Sequence, residues 1–196
     1  MMDRLSRTAL AGLALALVAC LFLPLWRVAL IAPQYPEGLG FYIWANRMSG
    51  DLQSINGLNH YIGMKQIVPE SIPELSLMPW ALGALVVAGL GAAAWGRRKA
   101  LVAWVSLLGL GALAGLADFW RWGYDYGHDL DPTAAIKIPG MSYQPPVLGS
   151  KQLLNFHATS LPALGGWIAF GVLALGIVLI VRERRLARRA ALAGIP

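Results

Sequence analysis

Four long apolar runs alternate with polar segments along the chain. The runs cover residues 9–32, 79–96, 100–119 and 161–181. Each is close to the roughly 20 residues that a helix needs to cross about 30 Å of hydrocarbon. The pattern therefore predicts an all-α membrane protein with four transmembrane helices, which form one integral membrane domain over residues 1–196.

The two longest polar segments, residues 33–78 and 120–160, separate the first run from the second and the third from the fourth. Within them, aromatic and β-branched residues predict a short strand over 39–44, and apolar residues at helical spacing predict a helix over 54–67. A single cysteine excludes an intrachain disulfide, and aromatic side chains need partners for their polar tips. We expect the segments to pack together as a small mixed α/β cap.

Basic residues are distributed unequally between the two sides that this arrangement creates. The chain ends and the turn at 97–99 carry ten basic and two acidic residues, a charge of +8, whereas the two long segments and their borders carry six and eight, a charge of −2. Basic residues accumulate on the cytoplasmic side of a membrane. We therefore expect a multi-pass protein of the bacterial inner membrane, with both termini in the cytoplasm and both long loops in the periplasm.

Composition narrows the possible functions. A hydrophobic content of 57% with 13% charged residues is typical of a membrane protein, so an isoelectric point near 9.8 indicates topology and attraction to anionic lipid heads rather than nucleic-acid binding. No Ser/His/Asp pattern and no glycine-rich nucleotide loop occur in the sequence. The expected partners are the lipid bilayer and a periplasmic or membrane protein, and an enzymatic role is disfavoured.

Cys20 has two interpretations. Arg4 and Arg7, the apolar stretch that follows them and residues 17–20 (LVAC) together resemble a secretory signal that ends in a lipoprotein cleavage box. In the other interpretation, Cys20 is a small apolar residue inside the first helix. The second is favoured because the apolar run continues past Cys20 to residue 32.

Polar and aromatic residues mark the expected outer membrane edge. Asp118 lies at this edge, where an ionised carboxylate needs a partner, and Arg121, Arg27 or a loop lysine is the natural candidate. Tryptophans near the same ends of the runs predict an aromatic belt at the depth of the lipid head groups. They are Trp26, Trp80, Trp120, Trp122 and Trp167.

All three histidines lie in the two long segments. On the predicted helix over 54–67, His60 and Met64 are four residues apart and would share one face. With His128, Met141 and His157 on the same side of the membrane, they predict a mixed nitrogen and sulfur metal site, which suits copper and particularly Cu(I). The competing interpretation is a packing methionine beside hydrogen-bonded histidines, with the nearby aspartates forming turns.

Several strings resemble a family of small bacterial four-helix membrane proteins that is associated with nitrous oxide reductase maturation and copper handling. The resemblance extends over nearly the whole chain. It implies a possible metal role for His60, Met64 and His128. The strings that carry it are residues 23–26, 32–39, 55–64 and 124–132.

These observations define three functional hypotheses. The preferred one is a membrane-bound accessory protein that binds copper on the periplasmic face and assists copper-enzyme maturation or copper delivery. The alternative is a non-catalytic structural or docking subunit of a respiratory or transport complex. An enzyme in which His128 and a carboxylate perform acid/base chemistry is the weakest of the three, because no further catalytic pattern accompanies them.

Overall fold

The computed structural model describes residues 1–136, 138, 140–153 and 155–192 and contains both helices and a sheet. Short 3₁₀ turns occur at Leu17–Leu21 and Pro69–Ser71. The helices are α1 (Arg4–Ala16), α2 (Leu52–Ile62), α3 (Glu74–Trp95), α4 (Arg98–His128) and α5 (Leu164–Leu192). The strands are β1 (Trp26–Ala32), β2 (Tyr35–Ile43), β3 (Met48–Gly50), β4 (Gly149–Leu153) and β5 (Phe156–Pro162).

Four helical segments in the described part of the chain are long and apolar enough to cross a membrane. They are α1 with its 3₁₀ extension, α3, α4 and α5, and they form a bundle. Leu10 and Leu101 are completely or almost completely buried in its core, and the indole nitrogen of Trp104 donates to the carbonyl of Leu85 at 2.8 Å. The predicted number of apolar helices is confirmed.

The N-terminus, the α3–α4 turn and the last turns of α5 meet at one end of the bundle, the terminal end. The backbone nitrogen of Met2 donates to the carbonyl of Gly96 at 2.7 Å, and Arg98 contacts Glu183 at 2.8 Å. Both long polar segments lie at the opposite end. The predicted division of the chain between two ends is therefore present in the fold.

A five-stranded antiparallel sheet covers that opposite end, the sheet end, in the order β3-β2-β1-β5-β4. The central strand β1 pairs Val28 with Phe41 of β2 on one side and with Ser160 of β5 on the other. Side chains alternate between the two faces of a strand, so Val28, Phe41 and Ser160 all lie on the buried face. The opposite face of the sheet points away from the bundle.

The sheet corrects the predicted all-α class and the bounds of two membrane runs. Residues 26–32, predicted as part of the first helix, form β1, and Leu161 and Pro162, predicted in the fourth helix, end β5. An apolar run by itself does not distinguish a helix from a buried strand. Pro24 and Pro162 contribute to the change, because they lack the backbone donor of a helix interior and disfavour helical geometry at the preceding residue. Proline alone does not decide it, since α3 contains Pro79.

The predicted elements of the cap also change in extent. The strand predicted over 39–44 corresponds to the second half of the longer β2, which ends at Ile43, and residues 48–50 form the short strand β3. The helix predicted over 54–67 is α2, which ends at Ile62 because Gly63 adopts a left-handed conformation with φ 78°. Glycine adopts such a conformation without the steric cost that a Cβ atom brings.

The two long segments pack against each other, as predicted. Gly63 accepts a hydrogen bond from the backbone nitrogen of Asp131 at 2.8 Å, and Tyr61 accepts one from Ile136 at 2.9 Å. Lys65 and Asp129 form an exposed ion pair at 2.6 Å, which raises the pKa of Lys65. The cap is held by backbone pairing and an ion pair, with no disulfide.

Candidate binding cavity between the bundle and the sheet

His60 and Met64 do not share a helix face, because α2 ends between them. His60 is exposed and lines an open polar depression with Asn56 and Gln66. Met64 is half-buried, and it lines a large apolar cavity below the sheet. The predicted arrangement of this pair was therefore wrong.

The other predicted metal ligands lie in separate surroundings. His128, at the exposed end of α4, stacks on the ring of Tyr124 at 3.9 Å, and its Nδ1 lies 3.0 Å from the carbonyl of that residue. Met141 is half-buried in the loop before β4. His157 pairs with Ile31, and its side chain lies on the outward face of the sheet. Met64 lies on the other side of the sheet, where it lines the cavity.

Among the residues that the structure describes, no three His, Cys, Asp or Glu side chains are grouped so that they could hold a metal ion. Copper binding and the alternative docking role therefore stay predictions. Metal analysis of the detergent-purified protein under reducing conditions, beside His60→Ala and His128→Ala, tests the first; protein without copper would reject it.

A large apolar cavity of about 640 Å³ lies between the sheet and the bundle. It exists because the first helical segment ends at Leu21, whereas α3, α4 and α5 continue to the level of the sheet. Cys20, buried in the 3₁₀ turn, also lines it, and its thiol donates to the carbonyl of Gly165 at the start of α5 at 3.3 Å. The sheet, α2 and the three long helices all contribute to the walls, for example through Leu30, Phe41, Ile55, Leu82, Ala112 and Leu173.

The cavity is elongated along α4. Residues from Leu108 to Tyr126 line it, and a helix of that extent is about 27 Å long at 1.5 Å per residue. Ligand cavities typically enclose about 300–1,000 Å³, so both its volume and its length suit a chain-like molecule.

Aromatic rings line the cavity where the sheet packs against the bundle. Trp26 of β1 packs edge-on against Phe119 of α4 at 5.8 Å and against Phe170 of α5 at 6.5 Å. Its indole nitrogen donates to the hydroxyl of Ser160 at 2.7 Å. Trp26 was predicted to lie in an aromatic belt at the membrane surface, but it is buried and lines the cavity instead.

Three buried polar atoms at the cavity have no hydrogen-bond partner among the described residues. They are the indole nitrogen of Trp122, the hydroxyl of Tyr143 and Oε2 of Glu74, and all three residues line the cavity. Tyr143 is only 2% exposed. Leaving such a group unsatisfied costs about 1–3 kcal/mol, so each of the three calls for an explanation. They are hydrogen-bonding groups of cavity-lining residues that the described residues leave unsatisfied.

A small ionic group stands beside the same end of the cavity. Arg121 contacts Asp118 at 2.7 Å and Oε1 of Glu74 at 3.3 Å, which confirms one of the predicted partners for Asp118. Both carboxylates line the cavity, and no Lys, Arg or His is among its lining residues in the described part of the chain. The charged groups facing the cavity are therefore negative.

Tyr143 is positioned by close contact with the end of α4. Its backbone nitrogen donates to the carbonyl of Gly127 at 2.9 Å. A Cβ atom at position 127 would collide with the backbone of Gln144 and would approach the carbonyl carbon of Tyr143 to 2.9 Å. The glycine thus lets the chain cross α4 closely enough to place the tyrosine ring at the cavity.

The sequence did not identify this site. Trp122 was assigned to the aromatic belt, and neither Glu74 nor Tyr143 was singled out. One signal was present: Glu74 directly precedes a long apolar run, where a carboxylate is costly unless it has a partner or a function. Nothing in the local pattern around Tyr143 indicates that it reaches the same cavity.

Comparison with known proteins does not assign the chain to a family. No protein-family model matches the chain, and no curated protein matches it.

Proposed function

We propose that this protein binds an elongated apolar molecule of the lipid class in the cavity between the bundle and the sheet. The cavity's length along α4 carries the proposal, since it matches an extended chain better than a compact metabolite. Its apolar walls would otherwise be exposed to water, which costs about 25 cal/mol for each Å². A bound hydrocarbon chain removes that cost.

The proposed orientation places the sheet end outside the cytoplasmic membrane. Its support is the accumulation of basic residues at the terminal end. In this orientation the cavity opens at the level of the outer lipid leaflet, from which an apolar molecule can enter. Reporter fusions at Ser49 and Gly96 test it: periplasm at Ser49 and cytoplasm at Gly96 are expected, and the reverse would reject it.

A cavity-blocking substitution tests the binding function. Gly115 lines the cavity on α4, and a Cβ atom there meets nothing within 4 Å. Gly115→Phe should fill the cavity without breaking the helix, because phenylalanine favours a helix more than glycine does. Labelling of the purified protein by a hexadecane chain that carries a photoactivatable diazirine should map to α4 residues facing the cavity and should fall at least about tenfold in the variant.

The matched control is Gly91→Phe. Gly91 lies on α3, also has nothing within 4 Å of a Cβ atom, and does not line the cavity. This variant should be labelled at the cavity as strongly as the wild type. Equal labelling of the cavity in the Gly115 and Gly91 variants, or labelling of lipid-facing residues alone in the wild type, would reject the proposed function.

A further inference from the structure

We propose that the polar end of this cavity selects a lipid with an uncharged, planar head of carbonyl or hydroxyl oxygens, the chemistry of a prenylated quinone or quinol. The inference rests on the proposed function, because it names the class of molecule that the same cavity takes. Its basis is the set of unpartnered atoms of Trp122, Tyr143 and Glu74.

The hydrogen-bonding capacity of the three atoms indicates which head group can satisfy them. The indole nitrogen of Trp122 can only donate, the hydroxyl of Tyr143 can donate or accept, and Oε2 of Glu74 accepts when the carboxylate is ionised. A carbonyl oxygen satisfies the first two, and a hydroxyl satisfies the third. A quinol offers two hydroxyls that both donate and accept, so it matches all three atoms, whereas the two carbonyls of a quinone satisfy the first two.

The charges exclude an anionic head. Arg121 is already engaged by Asp118 at 2.7 Å and by Glu74 at 3.3 Å, and both carboxylates face the cavity. A phosphate or a fatty-acid carboxylate placed there would face two like charges with no free basic side chain in the lining. An uncharged head avoids that repulsion.

The aromatic wall favours a flat head over a glycerol. Trp26 and Phe119 line the cavity with rings in edge-to-face contact at 5.8 Å, and Trp122 pairs with Tyr126 at 5.4 Å beside the unpartnered indole nitrogen. Aromatic rings interact favourably with another ring in offset or edge-on geometry. A planar ring bearing oxygens can therefore contact both the rings and the polar atoms.

The polar and apolar ends of the cavity are ordered like the two ends of such a molecule. Glu74 begins α3 at the sheet end, and Trp122 lies on the part of α4 beside the sheet. Leu85, Leu108 and Leu173 line the opposite end, within the bundle. A lipid whose head group lies beside Glu74 and Trp122 therefore has its tail between the helices.

Competition against the headless diazirine-hexadecane probe tests the head-group preference in purified protein. The competitors are decyl-benzoquinone and its quinol, decanoic acid and dioctanoylglycerol. We expect the quinone and quinol to displace the probe at concentrations at least about tenfold lower than decanoic acid, which has a chain of the same length but a charged head. We also expect them to displace it at lower concentrations than the glycerolipid, whose uncharged head lacks the ring.

Two variants test the assigned contacts. Tyr143→Phe and Trp122→Phe each remove one donor, and each should weaken quinone competition by about three- to tenfold, the range for loss of one hydrogen bond, while labelling by the headless probe stays unchanged. The matched controls Tyr61→Phe and Trp80→Phe alter exposed side chains and should change neither measurement.

The outcomes separate the two proposals. If the headless probe labels the cavity but decanoic acid competes as well as the quinone, the head-group assignment is wrong and the binding function stands. Stronger competition by dioctanoylglycerol would reject the quinone class in favour of a non-planar uncharged head. If the probe does not label the cavity, the proposed function itself fails.

Discussion

The terminal end and the sheet end each contain a deeply buried polar side chain, Glu183 and Tyr143, but only Glu183 has hydrogen-bond partners among the described residues. At the terminal end, Glu183 is 2% exposed and accepts hydrogen bonds from Arg98 at 2.8 Å and from the backbone of Asp3 at 3.3 Å. At the sheet end, Tyr143 is equally buried, and its hydroxyl has no partner among the described residues. Burial with partners is typical of structure, whereas burial without them calls for an explanation, and the one that we propose is a bound molecule.

Packing differs between the ends for a related reason. All four apolar helical segments are present at the terminal end, where Leu10 and Ala14 are completely buried. Toward the sheet, the segment that contains α1 stops at Leu21 and the chain enters β1. The sheet closes the bundle but does not fill it. The cavity is thus a consequence of replacing the end of one helix by a strand.

The largest expected effect comes from Gly127→Val at the sheet end. The added side chain would collide with the backbone of Gln144 and displace Tyr143 from α4. We expect a loss of about 3 kcal/mol in the free energy of unfolding, near the upper range for overpacking, and loss of the selective quinone binding. Thermal unfolding and the competition assay in detergent measure the two effects.

Gly123→Ala is the control for that substitution. Gly123 lies one turn earlier on α4, where a new Cβ atom meets its nearest neighbour, Pro145, at 3.8 Å, an ordinary contact. This variant should bind like the wild type and be at least as stable, because alanine favours a helix interior by up to about 1 kcal/mol over glycine. If Gly127→Val retains wild-type stability and quinone selectivity, the close crossing does not position Tyr143.

An intermediate effect is expected from Glu183→Gln at the terminal end. The change keeps the shape of the side chain but removes the charge that accepts from Arg98, and a hydrogen bond to a charged group contributes about 1.5–3 kcal/mol. We expect the variant to lose about 2 kcal/mol of stability while cavity labelling by the headless probe stays unchanged. The exposed Glu70→Gln is the control and should alter neither quantity. Loss of labelling in the Glu183 variant would show that the two ends are not independent.

The smallest effect, and a pH-dependent one, is expected from Asp3→Asn. Hydrogen bonds from Arg182 and Ser6 hold the pKa of Asp3 well below its ordinary value, so the charged form is favoured in the folded state. The resulting stability is present above the unfolded pKa of about 3.9 and is lost as the pH falls toward the folded pKa. Asparagine retains the helix-capping ability of aspartate.

Melting temperatures of the two proteins across pH measure this contribution. The wild type should melt at the higher temperature by a constant margin above about pH 5, and the margin should shrink progressively below about pH 4. A margin that grows as the solution becomes more acidic would contradict the assigned ion pair between Asp3 and Arg182.

Some parts of the cap were predictable because their signals are local. Aromatic and β-branched residues indicated the strand around Phe41, and apolar spacing indicated α2. Asp118 pairs with Arg121, three residues away, as a carboxylate at a membrane edge requires. The extent of α2 was overestimated because the pattern continued past Gly63, whose left-handed conformation ends the helix.

The sequence by itself determined the four apolar helices and the gathering of basic residues at one end, because run length and charge are properties of neighbouring residues. Only the tertiary structure decided that residues 26–32 form a strand, since β1 becomes stable by pairing with β2 and with the distant β5. It alone also brought Glu74, Trp122 and Tyr143 to one cavity. Their positions depend on helix length, on strand pairing and on the crossing of the chain over α4 at Gly127. A pattern of neighbouring residues cannot predict that combination.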